Sequence, residues 1–235
     1  MWTGRLLFGH RGAPATGLPE NSLASFQRAL DDGANALESD VHRTRDGHIV
    51  ISHDADVQGL LIATATLAEV QAKDLGGGER VPLLTDVLAR FTDVPVNIDL
   101  KAPGIAADVV KVLVEKREAE RVLLASFHVG ELVAVRAARY PGPTGLARDE
   151  IVRLLALPWP ALKVWRLKGA RAQVPMRSGR AHFNTTRFIE RAHAVGIRVD
   201  YWTINDVDDA RALVALGADG IMSDDPGRVR PAVFT

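Results

Sequence analysis

Cysteine is absent from the sequence, which removes disulfides, thiolate nucleophiles and zinc–thiolate centres, so any metal site must be built from oxygen or imidazole. An excess of either charge is absent too. Lys plus Arg and Asp plus Glu balance at 29 each, leaving no bulk attraction for a polynucleotide or an anionic membrane. The expectation is no nucleic-acid partner and no stable membrane association, with any anionic ligand held by local groups. No apolar run reaches the ~20 residues that cross a bilayer. The opening Met1-Trp2-Thr3-Gly4-Arg5 lacks the apolar stretch and small-residue cleavage site of a secretory signal, so a cytoplasmic protein is expected. Long polar tracts are also missing, and 47% hydrophobic with 25% charged residues is the composition of an ordered globular protein.

What is present is a regular alternation. Short apolar runs that read as strands occur at Leu6–Gly9, Ala36–Val41, Val94–Leu100, Val122–Ser126, Thr144–Ala147, Leu162–Leu167, Ile197–Trp202 and Gly220–Ser223. Helical patterns separate them, among them one capped by Asn21 or Ser22 and stopped by Gly33, and others at Ile105–Lys116, Gly130–Arg139, Thr186–Val195 and Val207–Leu216. Arg45-Asp46-Gly47 reads as the turn of a hairpin running from Val41 to His53. About eight alternations predict a single-domain α/β chain, a TIM-type (β/α)8 barrel over residues 1–235, with a short insertion after the hairpin that ends at His53. Lys168 to His182 reads as a long polar loop, whose Lys168, Arg171, Arg177 and Arg180 could fold over an anionic substrate.

In such a barrel chemistry collects at the carboxyl ends of the strands. Those ends carry His10-Arg11, Glu38 and Asp40, His53-Asp54, Asp99 and Lys101, Ser126-Phe127-His128, Trp202-Thr203-Ile204-Asn205, and Ser223-Asp224. Side chains two apart on a strand share a face, so Glu38 and Asp40 converge inside the mouth while Leu37 and Val41 point at the helices. Asp99 and Lys101 repeat that spacing. Crowded carboxylates need protons, cations or a hard divalent ion, Mg²⁺ or Ca²⁺ above all. His10 and His53 end apolar runs beside charged neighbours and can move protons near neutral pH. The other histidines have weaker claims, and His193, on a helix, is expected to pack. Two proton carriers, a metal and the cations Arg11 and Lys101 suit cleavage of a phosphate ester.

The ordered set His10-Arg11-Gly12, Pro19-Glu20-Asn21-Ser22, Glu38-Ser39-Asp40-Val41, Thr44, Asp46-Gly47 and His53-Asp54 resembles the opening of the glycerophosphodiester phosphodiesterase family. Asn97–Lys101, Trp202–Asn205 and Gly217–Pro226 extend the resemblance over nearly the whole chain. It implies metal-dependent hydrolysis of glycerophosphodiesters to an alcohol and sn-glycerol 3-phosphate, with Mg²⁺ or Ca²⁺. His10 and His53 would be general acid and base, and Glu38, Asp40 and Asp99 the metal ligands. Arg11 and Lys101 would hold the phosphate, and Phe127 and Trp202 would wall the glycerol side. Glu20 and Asn21 would shape the first loop and contact the metal or brace His10. Asp99 stands where the family more often has Glu, and the stretch from His53 to Val81 is shorter than the capping insertion of many members, which implies a more open mouth.

Water can attack phosphorus directly, or the glycerol 2-hydroxyl can attack first to give a cyclic phosphate. The second route gains from proximity and would favour substrates with a free neighbouring hydroxyl. Two rival readings share the barrel: a lysophospholipase D or phosphoinositide-type phospholipase, for which Leu60-Leu61-Ile62 is the obvious apolar lip, and a phosphodiester-binding barrel without turnover.

Overall fold

The computed structural model describes residues 2–158, 161–162 and 166–234. Strand β1 (Leu6–His10) is followed by helix α1 (Leu23–Asp31), and the chain returns along β2 (Ala36–Arg43), which folds back as β3 (Ile49–Ile51). Then come α2 (Leu67–Gln71), α3 (Leu84–Arg90), β4 (Val96–Leu100), α4 (Ala106–Glu115), β5 (Val122–Ala125), α5 (Val129–Ala137) and α6 (Arg148–Ala156). The described elements end with β6 (Arg171–Val174), α7 (Thr186–His193), β7 (Arg198–Tyr201), α8 (Val207–Leu216), β8 (Gly220–Ser223) and α9 (Pro226–Val233).

Seven strands run parallel in the order β5-β4-β2-β1-β8-β7-β6, and β3 pairs antiparallel with the outer end of β2. Residues 143–146 join the two edges. Gly145 N donates to Leu124 O at 2.9 Å, and Leu146 N donates to Arg171 O at 2.8 Å. With this stave the sheet closes into a TIM-type barrel.

Strand alternation divides two cores. Leu7, Leu37, Val41, Ile98 and Leu100 face outward into the main core beneath the helices, where Phe26, Leu88, Val109 and Leu113 meet them. Leu6 and Phe8 face inward, forming with Ala36 and Met222 a layer inside the barrel that Trp2 and Trp202 pack against. His10 has the parity of Leu6 and Phe8, which places it at the mouth of the interior. Ser22 caps α1 by accepting from Ser25 N at 3.1 Å, and Gly33 ends that helix in the left-handed region at φ +93°. The hairpin forms as expected, with Val41 opposite Ile51 and Gly47 at φ +87° in its turn.

One strand lies elsewhere than the sequence pattern places it. Half of Leu162–Leu167, residues 163–165, lies outside the described residues, Leu162 is helical, and β6 at Arg171–Val174 occupies the sixth position inside the segment read as a polar loop. The reason is a buried charge. Arg171 opens the strand at 1% exposure, with its Nε 2.6 Å from Asp200 Oδ2 on β7, and it stacks over Trp2 with 5.9 Å to the ring centroid. Arg171 therefore belongs to the barrel interior and is not a loop cation. The remainder of the segment holds a small hairpin, Arg177–Ser178 against Ala181–His182. His193 does not pack in the core but pairs with Asp219 at 2.7 Å on the surface.

Candidate active site

Register brings the acids together. β2 and β4 pair with Glu38 opposite Asn97 and Asp40 opposite Asp99, so the carboxylates of Glu38, Asp40 and Asp99 enter the mouth side by side, all buried. Lys101, one step beyond β4, sets its ammonium between two of them, 3.0 Å from Asp40 Oδ1 and 2.7 Å from Asp99 Oδ2. Burial works against the ammonium, but Asp99 and Asp40 outweigh it and hold Lys101 above its ordinary pKa. Glu38 lacks such a partner. Burial, reinforced by the negative charge of Asp40, pushes its carboxyl up to about 8.

The loop after β1 contributes the second cation. Arg11 adopts φ +54°, a left-handed conformation rare for a residue with a side chain, and its backbone N–H donates to Glu38 Oε2 at 3.2 Å. Its guanidinium pairs with Glu20 at 3.1 Å and lies 3.5 Å from Asp40 Oδ2. The turn fits only with glycine next in line: a Cβ on Gly12 would stand 2.3 Å from Ser25 Oγ and 2.6 Å from the Ser25 carbonyl carbon. Asn21 donates to Asp40 Oδ2 at 3.3 Å and accepts from Ser39 Oγ at 2.8 Å. Glu20 and Asn21 thus brace Arg11 and Asp40, and neither is bonded to His10.

His10 is held by Asp224, an acid to which the sequence alone assigns no role. Its Nδ1 lies 2.7 Å from Asp224 Oδ1, past the end of β8, and its Nε2 points toward Glu38 Oε2 at 3.8 Å. Asn205 fixes Asp224 in turn: its Nδ2 donates to Asp224 Oδ2 at 2.8 Å, and its Oδ1 accepts from Ser223 Oγ at 3.0 Å. Burial opposes ionisation of Asp224, yet the bonds from His10 and Asn205 prevail and keep its pKa below the ordinary value. For His10 burial pulls the pKa down, and Glu38 with Asp224 overcome that and raise it. The signal in sequence was the pair Ser223-Asp224 closing a strand; what it lacked was a partner 214 positions away.

His53 follows β3 on the other flank of β2, with Nδ1 2.8 Å from Asp54 Oδ1. His42, buried on β2, anchors this turn through Nε2, 3.2 Å from the His53 carbonyl. Beyond β5, Phe127 is 67% exposed and stands 5.5 Å from Lys101 Nζ, measured to the ring centroid. It meets Trp202 edge-on at 5.7 Å. His10, Glu38, Asp40, Asp99 and Lys101 lie at the carboxyl ends of β1, β2 and β4, Phe127 and Trp202 just past β5 and β7, and His53 just past the antiparallel β3, whereas Arg171 stands at the amino end of β6. Of the expected apolar lip, Leu61 is exposed while Ile62 is buried in a small cluster with Val50, Val57 and Val70.

Among the described residues no three His, Asp or Glu side chains are drawn together as a ready set for an ion. The donor chemistry nonetheless suits a hard cation. Asp99 Oδ1 is buried without a hydrogen-bond partner, and Glu38 is driven toward its protonated form by burial first and by the negative charge of Asp40 second.

Cations beside acids, with an imidazole on either side, define a class: barrel enzymes that cleave phosphate esters. The model of the Glycerophosphoryl diester phosphodiesterase family matches residues 10–228, and the chain belongs to that family. Its activity is that of a phosphoric diester hydrolase acting on glycerophosphodiesters, and members of the family are generally dependent on a divalent metal. The chain is 33% identical over 94% of its length to a Mycobacterium tuberculosis protein named "Probable glycerophosphodiester phosphodiesterase 2", of which it covers 88%. It is 31% identical to the glycerophosphodiester phosphodiesterase of Caldanaerobacter subterraneus subsp. tengcongensis, over 94% of both chains. A phosphodiesterase of Oleispira antarctica, solved in complex with the product sn-glycerol-3-phosphate, matches with a TM-score of 0.80 at 25% identity, over 99% of this chain and 98% of that one. No helix among the described residues is long and apolar enough to cross a membrane.

Proposed function

We propose that residues 1–235 act as one cytoplasmic hydrolase domain that converts glycerophosphodiesters to an alcohol and sn-glycerol 3-phosphate, with His10 and His53 as the proton carriers. The observation that carries this reading is the setting of His10. With Nδ1 engaged by Asp224 at 2.7 Å, the ring presents Nε2 to the acidic cluster, where a phosphate ester oxygen can meet it. Arg11 and Lys101 are the cations at hand for the phosphate oxygens, and both already face Asp40. Phe127 and Trp202 wall the glycerol half of the substrate.

Glu38, Asp40 and Asp99 would hold the divalent ion, Mg²⁺ or Ca²⁺ by the hardness of their oxygens. When bound, the ion supplies a Lewis acid that neutralises charge on the phosphate. One histidine then takes the proton from the attacking oxygen and the other gives one to the departing alkoxide. Release of glycerol 3-phosphate from a panel of glycerophosphodiesters, with and without chelator, tests the reading. Metal-dependent release is expected, and absence of release with every divalent ion would refute it.

A further inference from the structure

A second cavity adjoins the mouth on the side away from His53. It has a volume of about 400 Å³ and is lined by Pro175, Met176, Arg177, Asn184, Trp202, Thr203, Ile204 and Asp209. Trp202 is the partition between the two: it meets Phe127 edge-on at 5.7 Å on the side proposed for the glycerol half, and it lines this cavity as well. The walls come from the segments that leave β6 and β7 at their carboxyl ends, the end of the barrel where chemistry sits. The floor is apolar, and two opposite charges stand on the walls.

Those charges are free. Neither the Arg177 nor the Asp209 side chain is hydrogen-bonded or ion-paired among the described residues, although they line one cavity. Both side chains are exposed and in reach of a group that brings its own charges of both signs. The neighbouring sequence offers Arg177 no acid. From Ile151 to Ile189 the sequence has eight Lys or Arg and no Asp or Glu, so the acid of this cavity has to come from α8. Asn184 and Thr203 add uncharged polar groups. The cavity beside His53 differs in kind: about 240 Å³, it is lined by Glu20, Asp54 and Asp56 with no Lys or Arg among its walls.

We infer that the cavity between Arg177 and Asp209 is a subsite for the alcohol half of the substrate and selects an alcohol carrying both a carboxylate and an ammonium, of which the seryl ester is the simplest. The carboxylate lies at Arg177, the ammonium at Asp209, and the carbon skeleton over Met176 and Ile204. This rests on the hydrolase reading above, and it orders substrates that the reading alone leaves equal.

The test is kcat/KM for sn-glycero-3-phosphoserine, -phosphoethanolamine, -phosphocholine and -phosphoglycerol, with the native chain, Arg177→Gln and Asp209→Asn. The native chain should favour the serine ester over the glycerol ester by about tenfold, two exposed charge contacts each contributing about threefold. Arg177→Gln should remove about threefold of that ratio and bring the serine ester level with the ethanolamine ester. Asp209→Asn should lower the serine and ethanolamine esters together relative to the glycerol ester. Turnover of all four with ratios that neither substitution moves would overturn the subsite and leave the hydrolase reading standing. A choline preference insensitive to both substitutions would overturn it too, and would assign the alcohol to the acidic cavity beside His53. Turnover of none would overturn both readings.

Discussion

Asp224 Oδ1 lies 2.7 Å from His10 Nδ1, and the other oxygen of the same carboxylate accepts from Asn205 Nδ2 at 2.8 Å. A side chain just past the last strand thereby sets the tautomer and the aim of a side chain from the first. Replacing Asp224 by Asn keeps the shape and removes the charge. kcat should fall by up to about 10⁴-fold, as expected when a carboxylate that orients an imidazole is lost. Burial depresses the His10 pKa, and Glu38 and Asp224 raise it against that pull. Without Asp224 the value drops, so the limb of the pH–rate profile governed by His10 should move to lower pH. A profile of unchanged shape would mean that the bond does not act through His10.

Lys101 sits between Asp40 and Asp99 at 3.0 and 2.7 Å, so it neutralises the same carboxylates that would hold an ion. Lys101→Met should lower kcat by about 10²–10³, the usual cost of losing one charge-stabilising group. It should also tighten divalent-ion binding, because a competing positive charge has gone. A metal titration read by activity and by calorimetry checks both signs; lost turnover with weaker metal binding would contradict the placement of Lys101.

Glu150, buried at the start of α6, accepts from Ala147 N at 2.8 Å, from Lys168 N at 2.6 Å and from Arg136 Nη2 at 2.8 Å. It ties α5, α6 and the approach to β6 together. Glu150→Ala should cost roughly 3 kcal/mol of stability by leaving Arg136 and two backbone N–H groups unpaired. Burial pushes the Glu150 carboxyl up, but these bonds prevail and hold it below its ordinary value. Its contribution is thus complete above the unfolded value of about 4.3 and is lost as pH falls through the lower folded value. Denaturant melts from pH 6 to 3 should show Glu150→Ala losing less on acidification than the native chain.

The parts of this site that were legible in the sequence are those that local periodicity controls. Glu38 and Asp40 share a face because they are two apart, and the register of β2 against β4 then brings Asp99 opposite Asp40. The hairpin ending at His53 was legible because Gly47 marks its turn. Two features were hidden because each depends on a pairing across the fold. Asp224 is indistinguishable in sequence from any acid after a strand until β8 lies beside β1 and brings it to His10. Arg171 reads as a loop residue because a charge at the start of a short run breaks the apolar pattern, whereas in the barrel Asp200 on the neighbouring strand neutralises it. The more apolar run Leu162–Leu167 upstream reads as the strand in its place.

The central claim is that His10 and His53 carry the protons of phosphodiester cleavage as one unit. Steady-state release of glycerol 3-phosphate by His10→Ala, His53→Ala and the double variant, each shown folded by its melt, tests it most directly. Groups that act together lose activity together, so each single change should lower kcat by about 10³-fold or more, and the double change should be little worse than either alone. A single variant that keeps the native rate, or losses that multiply in the double variant, would contradict the account.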